Sequence, residues 1–184
     1  MGSSDEFDVV VICSGNRFRS PIAEAVLRRE ADGLPVIVRS FGTMDLPSSH
    51  PLPEALELAP GLGLDLMSHR SRPVAGQDLS DADLVIGFEP IHVATAVVGA
   101  RARRERTFLL TELVDNLEGI APQQADGLVE RARRSVHEAD EARKVSQRVA
   151  SEIPDPIGGP SSGYRKIADE VYRLTSRVSE LLFR

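Results

Sequence analysis

Short apolar runs alternate with amphipathic segments along the chain, and this pattern predicts β-strands separated by helices. Near-continuous apolar strands are typical of parallel sheets that are covered on both faces. Strand and helix patterns in alternation indicate βαβ units, so the sequence predicts an α/β fold around a parallel sheet. The predicted strands are Phe7–Ile12, Pro35–Phe41, Asp83–Phe88 and Thr107–Leu110.

Apolar residues at three- and four-residue steps predict a helix after most of these strands. We expect the first helix to begin with Ser20 as its N-cap and Pro21 at its first helical position. The last helix has an apolar face from Tyr164 to Leu181 and should close the core. The helices predicted between them are Leu52–Leu62, residues 90–100 and residues 123–152.

The predicted helix 123–152 differs from the others because its apolar stripe is weak and consists of small residues between balanced charges. The favoured interpretation is a solvated helix that rests on the domain, inserted into a single domain of residues 1–184. A lid, a partner-binding element and self-association through this helix stay open. The stripe contains Val129, Ala132, Val136, Ala139, Ala142, Val145 and Val149.

Composition narrows the classes of protein to which the chain can belong. Its 184 residues suit one domain, and a net charge of −6 argues against a nucleic-acid-binding surface. A single cysteine excludes an internal disulfide and fits a reducing compartment. No apolar stretch is long enough to cross a membrane, and the acidic N-terminus does not resemble a signal peptide. We therefore expect a cytoplasmic protein without a membrane partner.

The candidate chemistry lies in the pattern C-x5-R-S, which runs from Cys13 to Ser20 between the first strand and the first helix. An arc of this length points backbone N–H groups inward, and the helix N-terminus adds positive potential. We expect Gly15 to allow a turn where a Cβ would clash, and Arg19 to hold two oxygens of an anion. The expected phosphate-binding residues are Ser14, Gly15, Asn16, Arg17, Phe18 and Arg19.

The field that binds an anion also favours ionised sulfur, which makes Cys13 a candidate nucleophile. A lone cysteine is more often a small buried apolar residue. The pattern around Cys13 favours the catalytic interpretation instead, because it supplies an anion site and a nucleophile in the same arc.

Transfer of a phosphoryl group to sulfur leaves an oxygen behind, and a carboxylic acid on a loop can protonate it. The candidate is Asp155, which stands between Pro154 and Pro156 and precedes two glycines. The alternative is a simple turn before the last helix, which such residues also form. The presence of C-x5-R-S elsewhere in the chain favours the acid.

Five segments occur in an order that resembles the low-molecular-weight protein tyrosine phosphatase family. The resemblance implies a flavodoxin-like three-layer sandwich with a four-stranded parallel sheet. It implies Cys13 as nucleophile, Arg19 as transition-state clamp and Asp155 as general acid and then base, with Asn16, Ser20 and His69 supporting the loop. The segments are VVVICSGNRFRSPIAEAVL, SFGT, GLDLMSHRSRPV, DADLVIGFEPIHV and DPIGG.

Three positions depart from the family pattern. Phe18 replaces a second loop cysteine, Arg17 replaces a small or aliphatic residue, and Ile157 replaces an aromatic residue that stacks on the substrate. A phosphotyrosine ring can instead pack on Ile157, Phe18 or Met44. The remaining histidines, His50, His92 and His137, show no pattern beyond ordinary surface placement.

We therefore expect a cysteine-dependent phosphomonoester hydrolase, foremost a protein tyrosine phosphatase that forms a phosphocysteine and needs no metal or cofactor. Its partner is a phosphorylated protein or a small phosphomonoester. A phosphoarginine phosphatase is an alternative, which the missing aromatic wall favours and the charge of Arg17 opposes. A non-catalytic phosphate- or phosphopeptide-binding module is another. Arsenate reductases that relay electrons through several cysteines are excluded by the single cysteine.

Overall fold

The computed structural model describes residues 5–121, 125, 127–146 and 149–184, which contain a four-stranded sheet with helices on both faces. All strand pairs are parallel, and the strand order is β2-β1-β3-β4. The predicted α/β sandwich with a four-stranded parallel sheet is confirmed. The strands are β1 (Phe7–Cys13), β2 (Val36–Gly42), β3 (Leu84–Gly87) and β4 (Thr107–Leu109).

The central strand β1 is apolar along its length because both of its faces are covered. Val9 and Val11 belong to one buried cluster, whereas Val10 and Ile12 belong to the other. Helices α1, α4, α5 and α6 contribute to the first cluster, and the segment around α3 contributes to the second. The helices are α1 (Arg19–Glu30), α2 (Pro53–Leu58), α3 (Pro90–Ala94), α4 (Leu110–Glu118), α5 (Leu128–Val145) and α6 (Ser161–Phe183).

The start of α1 corrects the predicted N-cap. The helix begins at Arg19 with Phe18 as the N-cap residue, so Ser20 already lies inside the first turn. The hydroxyl of Ser20 contacts Cys13 and Asn16 instead of capping the helix. Ser20 therefore belongs to the hydrogen-bond network of the loop and does not cap the helix.

Helices α2 and α3 are shorter than predicted, and one helix was missed. Helix α2 passes into a 3₁₀ turn at Ala59–Leu62, where Pro60 supplies no backbone N–H. Helix α3 ends at Ala94 and continues as a wider π-type turn, Thr95–Gly99. Helix α4 was missed because it follows β4 without a break, so that Leu110, assigned to the strand, is its first residue.

Helix α5 is the helix predicted at 123–152, but it is shorter. Residues 123, 124, 126, 147 and 148 lie outside the described part of the chain, and Val145 and Val149 of the predicted stripe are 83% and 95% exposed. The small residues Ala132, Val136 and Ala139 are buried. The insertion of this helix into a single domain stays a prediction.

Charged residues of α5 attach it to the sheet. Arg133 Nε donates to Asp83 Oδ1 at 2.8 Å, just before β3 begins, and Arg143 Nη1 donates to the carbonyl of Thr107 in β4 at 2.9 Å. The charged residues of this helix therefore do more than face solvent, because Arg133 and Arg143 hold the helix against the sheet. Among the residues that the structure describes, no helix is long and apolar enough to span a membrane.

Candidate active site

The loop from Cys13 to Arg19 lies at the carboxyl end of β1, where ligands of parallel sheets commonly bind. Two other segments meet it there. Glu89 and His92 follow β3, the neighbouring strand, and the segment at Ile153 is attached by a 2.9 Å hydrogen bond from its backbone N–H to the carbonyl of Phe88. The fold thus brings together residues that are more than a hundred positions apart in the sequence.

The sulfur of Cys13 is buried and receives hydrogen bonds from its own loop. The backbone N–H of Asn16 donates to Cys13 Sγ at 3.2 Å, and Ser20 Oγ lies 3.0 Å from the same sulfur. Since Asn16 Nδ2 donates to Ser20 Oγ at 2.8 Å, the hydroxyl proton of Ser20 is available to the sulfur. Both contacts direct hydrogen-bond donors at the sulfur of Cys13.

Asn16, rather than Gly15, is the residue with the demanding backbone conformation. Its φ angle is +52°, whereas Gly15 is not among the residues with positive φ. A Cβ added to Gly15 would lie 3.6 Å from Leu46 Cδ1, an ordinary contact, so the expected clash there is wrong. Asparagine adopts the left-handed region more readily than most residues do, which explains its place in this loop.

The side chain of Asn16 connects the loop to the surrounding elements. Its Nδ2 also donates to Ser40 Oγ at 2.8 Å, and its Oδ1 accepts from the backbone N–H of Arg72 at 3.0 Å. His69 Nε2 lies 2.9 Å from the carbonyl oxygen of Asn16, and because that oxygen only accepts, the imidazole donates. Asn16, Ser20 and His69 are therefore joined by hydrogen bonds around the loop.

Behind Asn16 lies a buried carboxylate that sequence reasoning missed. Ser40 Oγ donates to Glu24 Oε2 at 2.5 Å, and His69 Nδ1 lies 3.4 Å from the same oxygen. Burial raises the pKa of Glu24, but its hydrogen bonds with His69 and Ser40 and the charge of Arg28 outweigh burial, so its pKa is below the usual value. An ionised Glu24 holds His69 toward the loop.

Arg19 is 1% exposed, and four acceptors surround its guanidinium group. Nη1 donates to Glu89 Oε2 at 2.5 Å and to the carbonyl of Ile153 at 2.9 Å. Nη2 donates to Ser14 Oγ at 3.0 Å and to Asp155 Oδ2 at 2.6 Å. The two nitrogens therefore point in fixed directions.

Asp155 lies beside the loop. Its carboxylate contacts Arg19 through Oδ2 and accepts a hydrogen bond at Oδ1 from the backbone N–H of Ile157 at 3.1 Å. The turn that follows contains Gly158 with a φ angle of +81°. The side chain of Asp155 is 28% exposed, so it is accessible from solvent while it contacts a buried cation.

His92 is not a surface residue, contrary to the sequence interpretation. Its side chain is 0% exposed, with Nε2 3.1 Å from Ser14 Oγ. The pKa of His92 is lowered to about 4, first by burial and then by the charge of Arg19, against the opposing effects of Glu89 and Asp155. The sequence could have indicated that these residues belong to the site, because Glu89 and His92 directly follow β3, the strand adjacent to β1.

The side walls of the site differ from those expected. Phe18 is buried and packs edge-to-face on Tyr164, with ring centroids 5.3 Å apart, so its ring belongs to the core and not to a substrate wall. Arg17 Nε donates to the carbonyl of His50 at 3.0 Å, which anchors its side chain beside the loop. Met44 and Ile157, 52% and 59% exposed, remain the apolar candidates for a substrate contact.

The arrangement can bind an oxyanion and place a nucleophile beneath it. Arg19 and the loop supply donors, Cys13 supplies the sulfur, and Asp155 supplies a carboxyl group at the solvent side. Within the described ranges no group of three or more histidine, cysteine, aspartate or glutamate side chains has the geometry of a metal site. Acyl or phosphoryl transfer to sulfur is the chemistry that such a set performs.

Comparison with known proteins agrees with this geometry. Residues 8–122 match the family described as low molecular weight phosphotyrosine protein phosphatase. The protein-arginine-phosphatase of Bacillus subtilis is 29% identical over 177 residues, which cover 95% of this chain and 96% of that protein. The low molecular weight protein-tyrosine-phosphatase Etp of Escherichia coli K12 is 30% identical over 110 residues, covering 60% and 73% respectively.

A solved structure extends the similarity to the whole fold. A mutant of YwlE from Bacillus subtilis is 25% identical, covers 97% of this chain and 100% of its own, and superposes with a TM-score of 0.70. Asp155 lies beyond the residues that the family match includes, so its place in the site rests on the motif and on its contact with Arg19.

Proposed function

Because the chain belongs to the low-molecular-weight phosphotyrosine protein phosphatase family, we propose that Cys13 is the nucleophile of a phosphatase that acts on phosphorylated proteins. One observation carries this proposal. Asp155 lies 2.6 Å from the guanidinium group of Arg19, in the same loop whose N–H and hydroxyl groups contact the sulfur of Cys13. The proposed clamp and acid are thus in contact, on the loop that also holds the proposed nucleophile.

The proposed reaction has two in-line displacements at phosphorus. Cys13 Sγ attacks and the ester oxygen leaves, while Arg19 and the loop N–H groups bind the equatorial oxygens. Asp155 gives its proton to the leaving oxygen. A water molecule then gives a proton to Asp155 and attacks the phosphocysteine, which releases phosphate and restores the thiolate.

Substrate binding must exchange ligands on Arg19. In the structure Asp155 Oδ2 and Glu89 Oε2 each occupy one guanidinium nitrogen. A phosphoryl dianion competes with Asp155 for Nη2, while Glu89 and the Ile153 carbonyl keep hold of Nη1. Displacement of Asp155 from Nη2 frees its carboxyl group to turn toward the leaving oxygen.

Phosphotyrosine is the substrate class that we propose first, since the matched family carries that activity in its description. Phosphoarginine is the second, favoured by the arginine phosphatase relative that spans 95% of the chain and by the absence of Phe18 from the substrate wall. The guanidinium of Arg17 opposes the second, because it would face the cationic guanidinium group of a phosphoarginine. Location in the cytoplasm stays a prediction from the single cysteine.

Self-association through α5 is not part of the proposal. Its small-residue face, including Ala132, Val136 and Ala139, is buried within this chain and therefore is not a free surface. The exposed part of α5 is charged, for example at Glu141 and Lys144.

The test compares the wild type, Cys13→Ser and Asp155→Asn on p-nitrophenyl phosphate and on a phosphotyrosine peptide. We expect Cys13→Ser to abolish turnover of both. Asp155→Asn should reduce peptide hydrolysis by about 10²–10⁴-fold and reduce nitrophenyl ester hydrolysis less, because nitrophenolate leaves more easily without a proton. Asp115→Asn, at an exposed position on α4, is the matched control and should match the wild type.

A wild type no faster than Cys13→Ser would contradict the proposed activity and favour a binding module. An equal loss in kcat/KM on both substrates for Asp155→Asn would remove the acid assignment, because kcat/KM does not include the hydrolysis step that the two substrates share. Phosphoserine and phosphoarginine peptides, tested with the wild type and Arg17→Met, then determine the substrate class. Selective gain on phosphoarginine in Arg17→Met would identify Arg17 as the barrier to that substrate.

A further inference from the structure

The hydroxyl of Ser14 has two N–H groups directed at its oxygen. Arg19 Nη2 donates to Ser14 Oγ at 3.0 Å, and His92 Nε2 lies 3.1 Å from it. A serine oxygen has two acceptor lone pairs and one proton. The hydroxyl proton of Ser14 is therefore free only if His92 is the donor in the hydrogen bond between them.

The other ring nitrogen of His92 determines that direction. The backbone N–H groups of Phe88 and Glu89 approach His92 Nδ1 at 3.2 and 3.1 Å. Backbone N–H groups only donate, so Nδ1 must be the unprotonated acceptor, and the ring proton lies on Nε2. The carboxylate of Glu89 is 3.6 Å from Nε2, too far to compete for this proton. His92 therefore donates to Ser14.

With both lone pairs occupied, the O–H of Ser14 points away from Arg19 and His92. The hydrogen bonds among the described residues include no acceptor for this proton. Ser14 follows Cys13 in the chain and shares Nη2 of Arg19 with Asp155. That nitrogen faces the position for which the substrate dianion and Asp155 compete, so the free donor lies beside the reacting phosphoryl group.

We propose that His92 is a positioning residue that holds the Ser14 hydroxyl as a hydrogen-bond donor to the phosphoryl group. The inference rests on the proposed phosphatase function, which it deepens. Burial lowers the pKa of His92 to about 4, so its ring stays neutral and keeps the required tautomer at ordinary pH.

The experiment separates this role from simple structural support. His92→Asn keeps an amide oxygen near the position of Nδ1 for the two backbone N–H groups but is too short to reach Ser14. His92→Gln places an amide N–H near the position of Nε2 and restores the donor. Ser14→Ala, the double variant Ser14→Ala/His92→Asn and the control His137→Asn, at an exposed histidine of α5, complete the set.

We expect Ser14→Ala and His92→Asn each to lower kcat/KM for p-nitrophenyl phosphate about tenfold, and the double variant to lower it by no more than either. His92→Gln should recover most of the loss, and His137→Asn should match the wild type. In the Cys13→Ser background, calorimetry should show the same pattern in the affinity for inorganic phosphate, which does not require turnover.

Additive losses in the double variant, an unchanged Ser14→Ala, or a His92→Asn that lowers only the melting temperature would each overturn the inference. If His92→Asn does not fold, Ser14→Ala and His92→Gln test the inference. Unchanged kcat/KM and unchanged phosphate affinity in Ser14→Ala overturn the inference. Losses in Ser14→Ala that His92→Gln does not share support it. An inactive wild type would contradict the proposed function alone, because the phosphate affinities still test His92.

Discussion

At the scale of single residues, His92 shows how burial and hydrogen bonding act together. Its Nδ1 faces two backbone N–H groups, so a proton added there would point at two donors. Burial opposes the charge as well, and the pKa falls to about 4. The unfolded chain, with an ordinary histidine pKa near 6.5, therefore binds this proton more readily than the native protein does.

This difference predicts a pH dependence of stability. Between about pH 6.5 and 4 the unfolded state holds the extra proton, so the free energy of unfolding should fall as the pH falls, by at most about 3 kcal/mol from His92. His92→Asn removes the titrating group, and its stability should fall less over this range. Urea unfolding at pH 7 and pH 5 measures both slopes.

Glu24 also loses stabilising interactions on acidification, because its pKa is lowered in the native state. Its contribution is the same in wild type and His92→Asn and cancels in the difference between their slopes. Identical slopes in the two proteins would mean that native His92 binds a proton as readily as the unfolded chain does. The hydrogen bonds at its Nδ1 do not allow this.

At the scale of elements, the end of β2 supports the catalytic loop from below. A Cβ added to Gly42 would lie 2.8 Å from the carbonyl oxygen of Ser14, 3.0 Å from the carbonyl carbon of Gly15 and 3.1 Å from the N of Asn16. All three are backbone atoms, which cannot move without distorting the loop. The end of β2 therefore fixes the distance between the loop and the sheet.

Gly42→Ala should therefore lower activity far more than an ordinary Gly→Ala change. We expect a loss in kcat/KM of at least about tenfold, since misplacing catalytic groups by a fraction of an ångström is costly. Gly61→Ala is the control, because a Cβ there meets nothing within 4 Å. Steady-state kinetics beside thermal unfolding would show the result, and equal kinetics for the two variants would contradict this account.

The secondary-structure elements also show how much of the fold and of the site the sequence predicts. Apolar runs identified all four strands because both faces of the sheet are buried, and C-x5-R-S located the loop. Helix α4 was missed because no turn separates it from β4, and Ser20 was misassigned because a capping serine and a loop serine look alike in sequence. Glu24 and His92 were missed because their partners lie 16 and 78 residues away.

At the scale of the whole molecule, an acidic protein buries a cation at the end of its central strand. The net charge is −6, yet Arg19 is buried at the carboxyl end of β1 with two carboxylates as its counterions. Parallel strands that end at one edge bring the loop, Glu89 and Asp155 together, and α6 closes the core beneath them. Specificity for phosphate is thus a property of the site and not of the protein's overall field.

We propose that the sulfur of Cys13 carries the phosphoryl group during turnover. The most direct measurement is mass spectrometry of the cysteine peptide after wild type and Asp155→Asn are mixed with p-nitrophenyl phosphate and quenched in denaturant. We expect one phosphoryl group on Cys13 in both proteins, and more of it in Asp155→Asn, where water attack lacks its base. Product release by the wild type with Cys13 unmodified in both proteins, or with the group on another residue, would contradict the account.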